Sequence, residues 1–332
     1  TGCTTDGGDG ITAGVINAVT GFLVPPGSTI GPGGCITGVA DGGVLTANPA
    51  FISKTLDESN NSWRLGLDWK YTPTTLLYAN LSKGFKSGSF PNLSAFSRAQ
   101  YQPVVQESLL ATEVGFKSTF KELKLQLDGA FFHYDYRNKQ VRGSVNTGFP
   151  FNVLPSLINV PKSKEDGIEL QATWRPAPGW TAGMNATYIR SKILDNFTSY
   201  DDLGAAPNGT PAQLRNFGGE SLPNTPNLMT NTDLQYAWGL ASGYTAFVGG
   251  NINYQSATYN GFGRNQELKI DAYALLDLRA GLDSPDGRWR AMLWARNVTD
   301  KYYWINQIKF GDTFAKVTGM PRTVGASFTY RY

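Results

Sequence analysis

The chain has 332 residues, 13% of them aromatic, with 38 Gly, 18 Pro and a net charge of +3 from 29 basic and 26 acidic side chains. No stretch approaches the roughly 18 consecutive apolar residues of a membrane-spanning helix, and the scattered charge excludes the basic footprint of a nucleic-acid binder. A large soluble β-sandwich and a β-barrel with aromatic girdles and tight turns remain, since a barrel strand alternates and gives no apolar run.

In chain order, the only cysteines, Cys3 and Cys35, come first, in a stretch rich in Gly, Thr and Pro. Without a nearby His or a C-x-x-C spacing, a Cys3–Cys35 disulfide is expected rather than a metal site, and with it an oxidising compartment. In the chain-entropy model such a loop contributes roughly 3 to 4 kcal/mol. The chain opens on Thr1 and its first basic residue is Lys54, without the pattern of a signal peptide, so it is expected to begin inside a longer protein.

The first clear strand follows. Trp63, Leu65, Leu67, Trp69 and Tyr71 alternate with Arg64, Gly66, Asp68 and Lys70, and the chain turns at Pro73-Thr74. The returning strand sets Leu77, Ala79, Leu81 and Phe85 against Tyr78, Asn80, Ser82 and Lys86. Further strands are expected near 107–120, 123–141, 165–175, 180–193, 226–238, 244–258, 267–283, 288–304 and 320–332, about eleven in all. The last carries Val324, Ala326, Phe328, Tyr330 and Tyr332 on one face, with Gly325, Ser327, Thr329 and Arg331 on the other. Apolar outside and small or polar inside is the alternation of an outer-membrane barrel strand.

The connections sort by length. Pro73-Thr74, Lys121-Glu122, 176–179, 239–243 and 284–287 are short, whereas 88–106, 142–164, 194–223, 259–266 and 305–319 are long. A barrel with short periplasmic turns and long extracellular loops sorts them in this way; a sandwich does not. An odd number of strands beginning with a descending one cannot close alone, and an open sheet would leave backbone groups unpaired in lipid. The expected fold is therefore all-β, a transmembrane antiparallel barrel of which this chain supplies half of 22 strands. Residues 1–60 are expected to form part of a long extracellular loop, and 61–332 the carboxy-terminal half-barrel.

At this point a family resemblance appears. The blocks LLYANLSKGFKSGSF (76–90), ESLLATEVGFKSTF (107–120), DGIELQATWRPAPGW (166–180), LPNTPNLMTNTDLQY (222–236), ARNVTDKYYW (295–304) and the ending GMPRTVGASFTYRY, taken in order, resemble the carboxy-terminal barrel of TonB-dependent outer-membrane receptors. The family's plug domain, TonB box and first strands have no counterpart among these blocks. The resemblance implies active uptake of a scarce, bulky nutrient, a ferric siderophore first and an oligosaccharide next, with a passive porin as the alternative. It implies an outer-membrane location in a Gram-negative bacterium and partnership with the TonB-ExbB-ExbD complex through the plug and TonB box. The other expected partners are outer-membrane lipid and lipopolysaccharide, and the barrel assembly machinery through the carboxy-terminal strand. No cofactor is expected.

The lumen is expected to carry Asp68, Lys70, Tyr78, Asn80, Glu169, Gln171, Asn251, Asn253, Asp277 and Arg279. Ligand recognition is expected on loops and upper strand ends, because the barrel holds the loops that bind. There, Phe96, Tyr101, Phe149, Phe151, Phe197, Tyr200, Tyr259 and Phe262 stand with Arg142 and Arg264, groups suited to an anionic chelate or a sugar ring. Tyr302, Tyr303 and Trp304 read as an interfacial girdle.

An enzyme is not expected. The single histidine, His133, shares the face of Phe131 on the lipid or girdle side, and one His cannot supply a two-His metal spacing. Asn297 and other Asn-x-Ser/Thr sites read as barrel residues rather than glycosylation acceptors. The glycine-rich segments 31–34 and 261–265 are loop glycines, because they lack the strand-to-helix setting of a phosphate cradle.

Overall fold

The structure, a computed structural model, describes residues 54–91, 98–148, 152–201, 203, 214–310 and 313–332; before residue 54 it describes only the backbone of five short strands. Eleven later strands form one antiparallel sheet in which each strand pairs with the next in sequence. They are β1 (Trp63–Thr72), β2 (Thr75–Lys86), β3 (Glu107–Phe120), β4 (Leu125–Gly148), β5 (Asn152–Trp174), β6 (Trp180–Ile193), β7 (Leu228–Gly239), β8 (Thr245–Gln255), β9 (Tyr273–Asp283), β10 (Trp289–Arg296) and β11 (Thr323–Tyr330).

Residues directly opposite in register share a face, so each face can be followed across the sheet. From Phe328 one row runs through Ala291, Leu282, Ala246 and Trp238. Higher on the same face, Val114, Phe131, Ile168 and Tyr188 are successive partners. Trp63, Trp69, Phe328 and Tyr330 lie on this apolar face, between 44% and 67% exposed, as the alternation predicts. Rows on the other face join Asp128, Gln171, Asn185, Asn231 and Asn253. One side therefore meets lipid and the other a wet lumen.

The short turns fall where expected. Four of them contain a left-handed residue, Lys124 (φ 50°), Gly179 (φ 83°), Gly243 (φ 82°) and Gly287 (φ 69°). In the last turn the Ser284 hydroxyl donates to Asp286 Oδ1 at 2.6 Å, and the Arg288 N–H donates to the same oxygen at 3.1 Å. The Ser284 bond is the main reason the Asp286 carboxyl is held below its usual range.

Two long loops of the sequence reading are instead hairpins. Residues 142–164 continue β4 and β5, which are 24 and 23 residues long and stay paired up to Asn152↔Gly148. β3 pairs with β4 only to Ser108↔Arg137, and β6 with β5 only to Ser163↔Ile193. The paired hairpin thus continues past its neighbours for roughly 35 Å along β4, from Arg137 to Gly148, at about 3.3 Å per residue. Polar and small residues obscured it, because above the membrane a strand needs no apolar alternation. Residues 305–319 are the second case, with Trp304–Phe310 pairing with Thr313–Thr318. The expected strands 267–283 and 288–304 are shorter, as β9 starts at Tyr273 and β10 stops at Arg296.

The ladder skips one pair at Asn138, with the register unchanged on either side. Pro161, opposite it, has no N–H to give, and the ladder passes directly from Lys139↔Val160 to Arg137↔Lys162. Asn138 takes a left-handed φ of 52°, and its carbonyl accepts from Asn159 Nδ2 at 2.7 Å. Lys139, which strict alternation would point outward, instead lies 3.4 Å over the lumen-side Tyr136 ring and 3.6 Å from Glu165. Above Asn138, the odd-numbered residues face inward.

β10 is followed by another left-handed residue, Asn297 (φ 47°), which is 4% exposed. Its N–H donates to Asp277 Oδ1 (2.9 Å), its amide donates to the carbonyls of Lys301 (2.9 Å) and Met320 (3.1 Å), and its Oδ1 accepts from the Lys301 N–H (2.8 Å). It ties the end of the strand to the start of β11.

Candidate functional site

The extracellular mouth is organised by an apolar cluster built from three separate segments. Val160 of β5, Ile193 of β6, Phe197, Phe217, Leu222 and Phe262 are all buried, with Val141 and Ile158 of the tall hairpin packed against them. The Phe262 ring lies 5.4 Å from Phe197 and 5.3 Å from Phe217. Arg215 stacks on Phe217 at 5.4 Å and reaches Glu220 at 3.2 Å. Glu220 in turn accepts from the Gly263 N–H at 3.0 Å, joining the loop after β6 to the loop after β8. Asn265 Nδ2 donates to Asp201 Oδ1 at 2.8 Å, making a second link between these loops.

Below this cap, the lumen wall is polar and aromatic. A cavity of about 390 Å³ is lined by Met229, Asn231, Asn253, Gln255, Tyr273 and Tyr303, among others. The rings of Tyr273 and Tyr303 meet at 4.5 Å, and the Tyr273 hydroxyl donates to Gln255 Oε1 at 3.3 Å. Asn231 Nδ2 donates to Asn253 Oδ1, and Asn253 Nδ2 to Asn251 Oδ1, both at 2.5 Å, in a cross-strand amide ladder. Towards the periplasm, Arg279 holds Asp233 through both terminal nitrogens (2.6 and 2.9 Å) and Gln235 at 3.0 Å. A second cavity of about 270 Å³, lined by Tyr78, Lys117, Asp128, Glu169, Gln171 and Asn185, lies against β2 to β6. Asp128 Oδ1 is buried there without a hydrogen-bond partner.

On the same wall, Phe132 stacks on Tyr134 at 4.6 Å and Tyr134 meets Tyr136 edge-on at 6.4 Å. Phe132 lies over Gly167, its partner in register, where an added Cβ would stand 2.1 Å from the ring. Gly167→Val is therefore expected to expel Phe132 and destabilise the sheet by about 1–3 kcal/mol. In the full-length protein, a lower urea midpoint for the heat-modifiable gel species checks this.

The residues expected to bind ligand separate into groups. Phe197 and Phe262 are 7% and 1% exposed and act as pegs of the loop cluster. Tyr200 and Tyr259 are half-buried beside it, the Tyr200 hydroxyl accepting from Asn146 at 3.4 Å. Arg142 and Arg264 are exposed, and Arg264 reaches Ser221 Oγ at 3.4 Å. Tyr101 belongs to the short helix Arg98–Tyr101 beside the tall hairpin, where the Ser156 hydroxyl donates to the Gln100 carbonyl at 3.1 Å. Phe96, Phe149 and Phe151, and the side chains of Cys3 and Cys35, lie outside the described residues. Tyr303 is not a girdle residue, since its ring lines the lumen cavity; Tyr302, 66% exposed, fits that role. The sequence reading did not single out Tyr273, Asp233 and Gln235. Their period-two alternation on β7 and β9 was the available signal.

His133 lies on the outward face, its ring nitrogens 2.5 Å from Asp166 and 3.3 Å from Asp135.

Comparison with known proteins fixes the family. The model of the TonB-dependent receptor-like β-barrel matches residues 38–298. The chain belongs to the TonB-dependent receptors. A pesticin receptor of Yersinia pestis is 24% identical over 284 residues, 85% of this chain and 38% of that relative. The ferric yersiniabactin uptake receptor FyuA of Yersinia pestis superposes with a TM-score of 0.62 at 21% identity, over 80% of this chain and 36% of that one. The siderophore receptor PiuA of Acinetobacter baumannii gives 0.57 at 20% identity, over 81% and 35%. The ferripyoverdine receptor of Pseudomonas aeruginosa, a structure bound to ferripyoverdine, gives 0.57 at 20%, over 84% and 34%. The chain thus spans little more than a third of the length of these relatives, which are receptors and not enzymes. As a member of the TonB-dependent receptors it is an outer-membrane β-barrel protein.

Proposed function

We propose that this chain is the carboxy-terminal half of a 22-stranded receptor that imports a ferric siderophore, powered through TonB, ExbB and ExbD. The observation that carries the proposal is a polar, aromatic lumen beneath a mouth whose loops are cross-braced by the Phe262 cluster. A passive pore has no use for such a cap, whereas a receptor must hold its binding loops in one geometry before it can select a ligand. The eleven-stranded sheet has two outer edges, at β1 and β11, whose closure by further strands would satisfy their backbone groups. The buried, unpartnered Asp128 Oδ1, with Tyr78 and Glu169 beside it, offers hydrogen-bonding sites to a plug inside the lumen. The ladder that sets Cys3 opposite Cys35 supports a disulfide in the loop 1–60, because directly paired residues lie within the Cα separation that a bridge needs.

Growth of iron-starved cells carrying the full-length receptor, supplied with a panel of iron chelates and oligosaccharides, tests this reading. Rescue by one chelate that vanishes when TonB is deleted is the expected result. Uptake of an oligosaccharide instead would reassign the substrate, and uptake independent of TonB would make the protein a porin.

A further inference from the structure

The cavities along the lumen wall differ in charge. The one of about 270 Å³ carries Lys117, Asp128 and Glu169, and another of about 380 Å³, against β8 to β11, carries Asp277, Arg279 and Arg296. The cavity of about 390 Å³ lies between these two in strand order, and no acidic or basic side chain among the described residues borders it. Charges on the adjoining wall are committed elsewhere. Arg279 is held by Asp233, Lys269 pairs with Asp271 at 2.9 Å, and Arg296 packs over the Trp294 ring at 5.0 Å in the cavity that also carries Asp277. The two arginines expected to meet an anionic chelate do not reach it either: Arg142 falls on the outward face of the tall hairpin, and Arg264 turns to Ser221.

The uncharged polar groups of this cavity bond to one another. Asn231, Asn253 and Asn251 form the amide ladder, and the Tyr273 hydroxyl is given to Gln255. What the wall still offers is aromatic and apolar surface, from Tyr273, Tyr303, Met229 and Leu275. The Tyr303 ring is seated on Gly319, where an added Cβ would stand 1.9 Å from it, and the Gly319 N–H donates to the Tyr303 carbonyl at 2.9 Å. Its other neighbour is the Tyr273 ring, inclined at 39°. Both rings are therefore set in place before a ligand arrives, which spares the cost of ordering them. An apolar cavity of about 150 Å³ accepts one benzene, so this one has room for roughly two aryl rings. An anion entering it would shed water and meet no cation in exchange.

We propose that this cavity receives an uncharged aryl portion of the imported chelate, so that the receptor takes iron complexes bearing neutral aromatic groups in preference to polyanionic ones. Such a selection presupposes the siderophore reading above and narrows it to a class of chelate.

Titration calorimetry of the full-length receptor in detergent tests this with three ferric complexes: an uncharged tris-hydroxamate with aryl substituents, an uncharged tris-hydroxamate with alkyl substituents, and a trianionic tris-catecholate. The aryl hydroxamate should bind tightest, and the tris-catecholate weaker by on the order of a hundredfold. Tyr273→Leu keeps an apolar side chain but removes the ring contact, and should weaken the aryl complex about two- to twelvefold while leaving the alkyl complex unchanged. Leu275→Lys places a cation in the wall and should weaken the aryl complex while tightening the tris-catecholate about tenfold. Should a variant fail to fold, the order of the three complexes on the wild type still decides. Binding of the tris-catecholate or the alkyl complex as tightly as the aryl complex overturns the inference and leaves the siderophore reading standing, as does an aryl preference untouched by Tyr273→Leu. Binding of none of the three, with no iron chelate rescuing growth, removes the siderophore reading and this inference with it.

Discussion

Phe262→Ala is expected to release the extracellular loops while leaving the barrel folded. Phe262 is 1% exposed and touches both Phe197 and Phe217, so its removal leaves a cavity where three segments meet. Truncating a buried Phe costs about 3–5 kcal/mol. Here the loss falls on a locally cooperative unit, because the sheet below is held by its own ladder and by lipid. Hydrogen exchange should accelerate over 194–201, 214–223 and 256–272 and along the described part of the hairpin above Asn138, with the lower halves of β4 to β9 unchanged. Ligand affinity of the full-length receptor should fall with it. Unchanged loop exchange would show that the cluster is not what braces the mouth.

Asn297→Ala is expected to act on the barrel itself. The substitution deletes both amide donors to Lys301 and Met320 and the acceptor for the Lys301 N–H, and places a Cβ-bearing residue with no local hydrogen bond at φ 47°. Losing the two part-buried hydrogen bonds to carbonyls that water can reach costs about 0.5–1.5 kcal/mol each, and the left-handed backbone adds about 1–2 kcal/mol, for a loss of roughly 2–5 kcal/mol. Asn297→Gly should recover the backbone share and not the hydrogen bonds. Urea unfolding of the full-length receptor in detergent checks the order wild type, glycine, alanine. Equal stability of the alanine variant would mean that the β10–β11 junction is held elsewhere.

The barrel was legible because lipid imposes a period of two on every crossing strand. Residues such as Leu67, Phe131, Ile168 and Phe328 repeat that pattern whatever their neighbours do. Above the membrane the constraint lapses, which is why β4 and β5 looked like loop from Arg142 to Lys164. The candidate site was legible only as composition. Aromatic residues in long loops were correctly counted, but whether a ring turns to ligand or to another ring is decided by contacts far apart in sequence. Phe197 and Phe262 meet each other; Tyr273 and Tyr303, drawn from a strand and from a presumed girdle, meet in the lumen.

The break in the ladder at Asn138 and Pro161 separates two sets of rules within one continuous hairpin. Below it, inserting or deleting a single residue would carry a charged side chain into lipid. Above it, the inward face has already been reset, so the upper hairpin can lengthen, shorten or change its chemistry while the membrane-embedded register stays fixed. The receptor thereby has a part that meets its surroundings and is free to diversify, grafted onto a part that cannot.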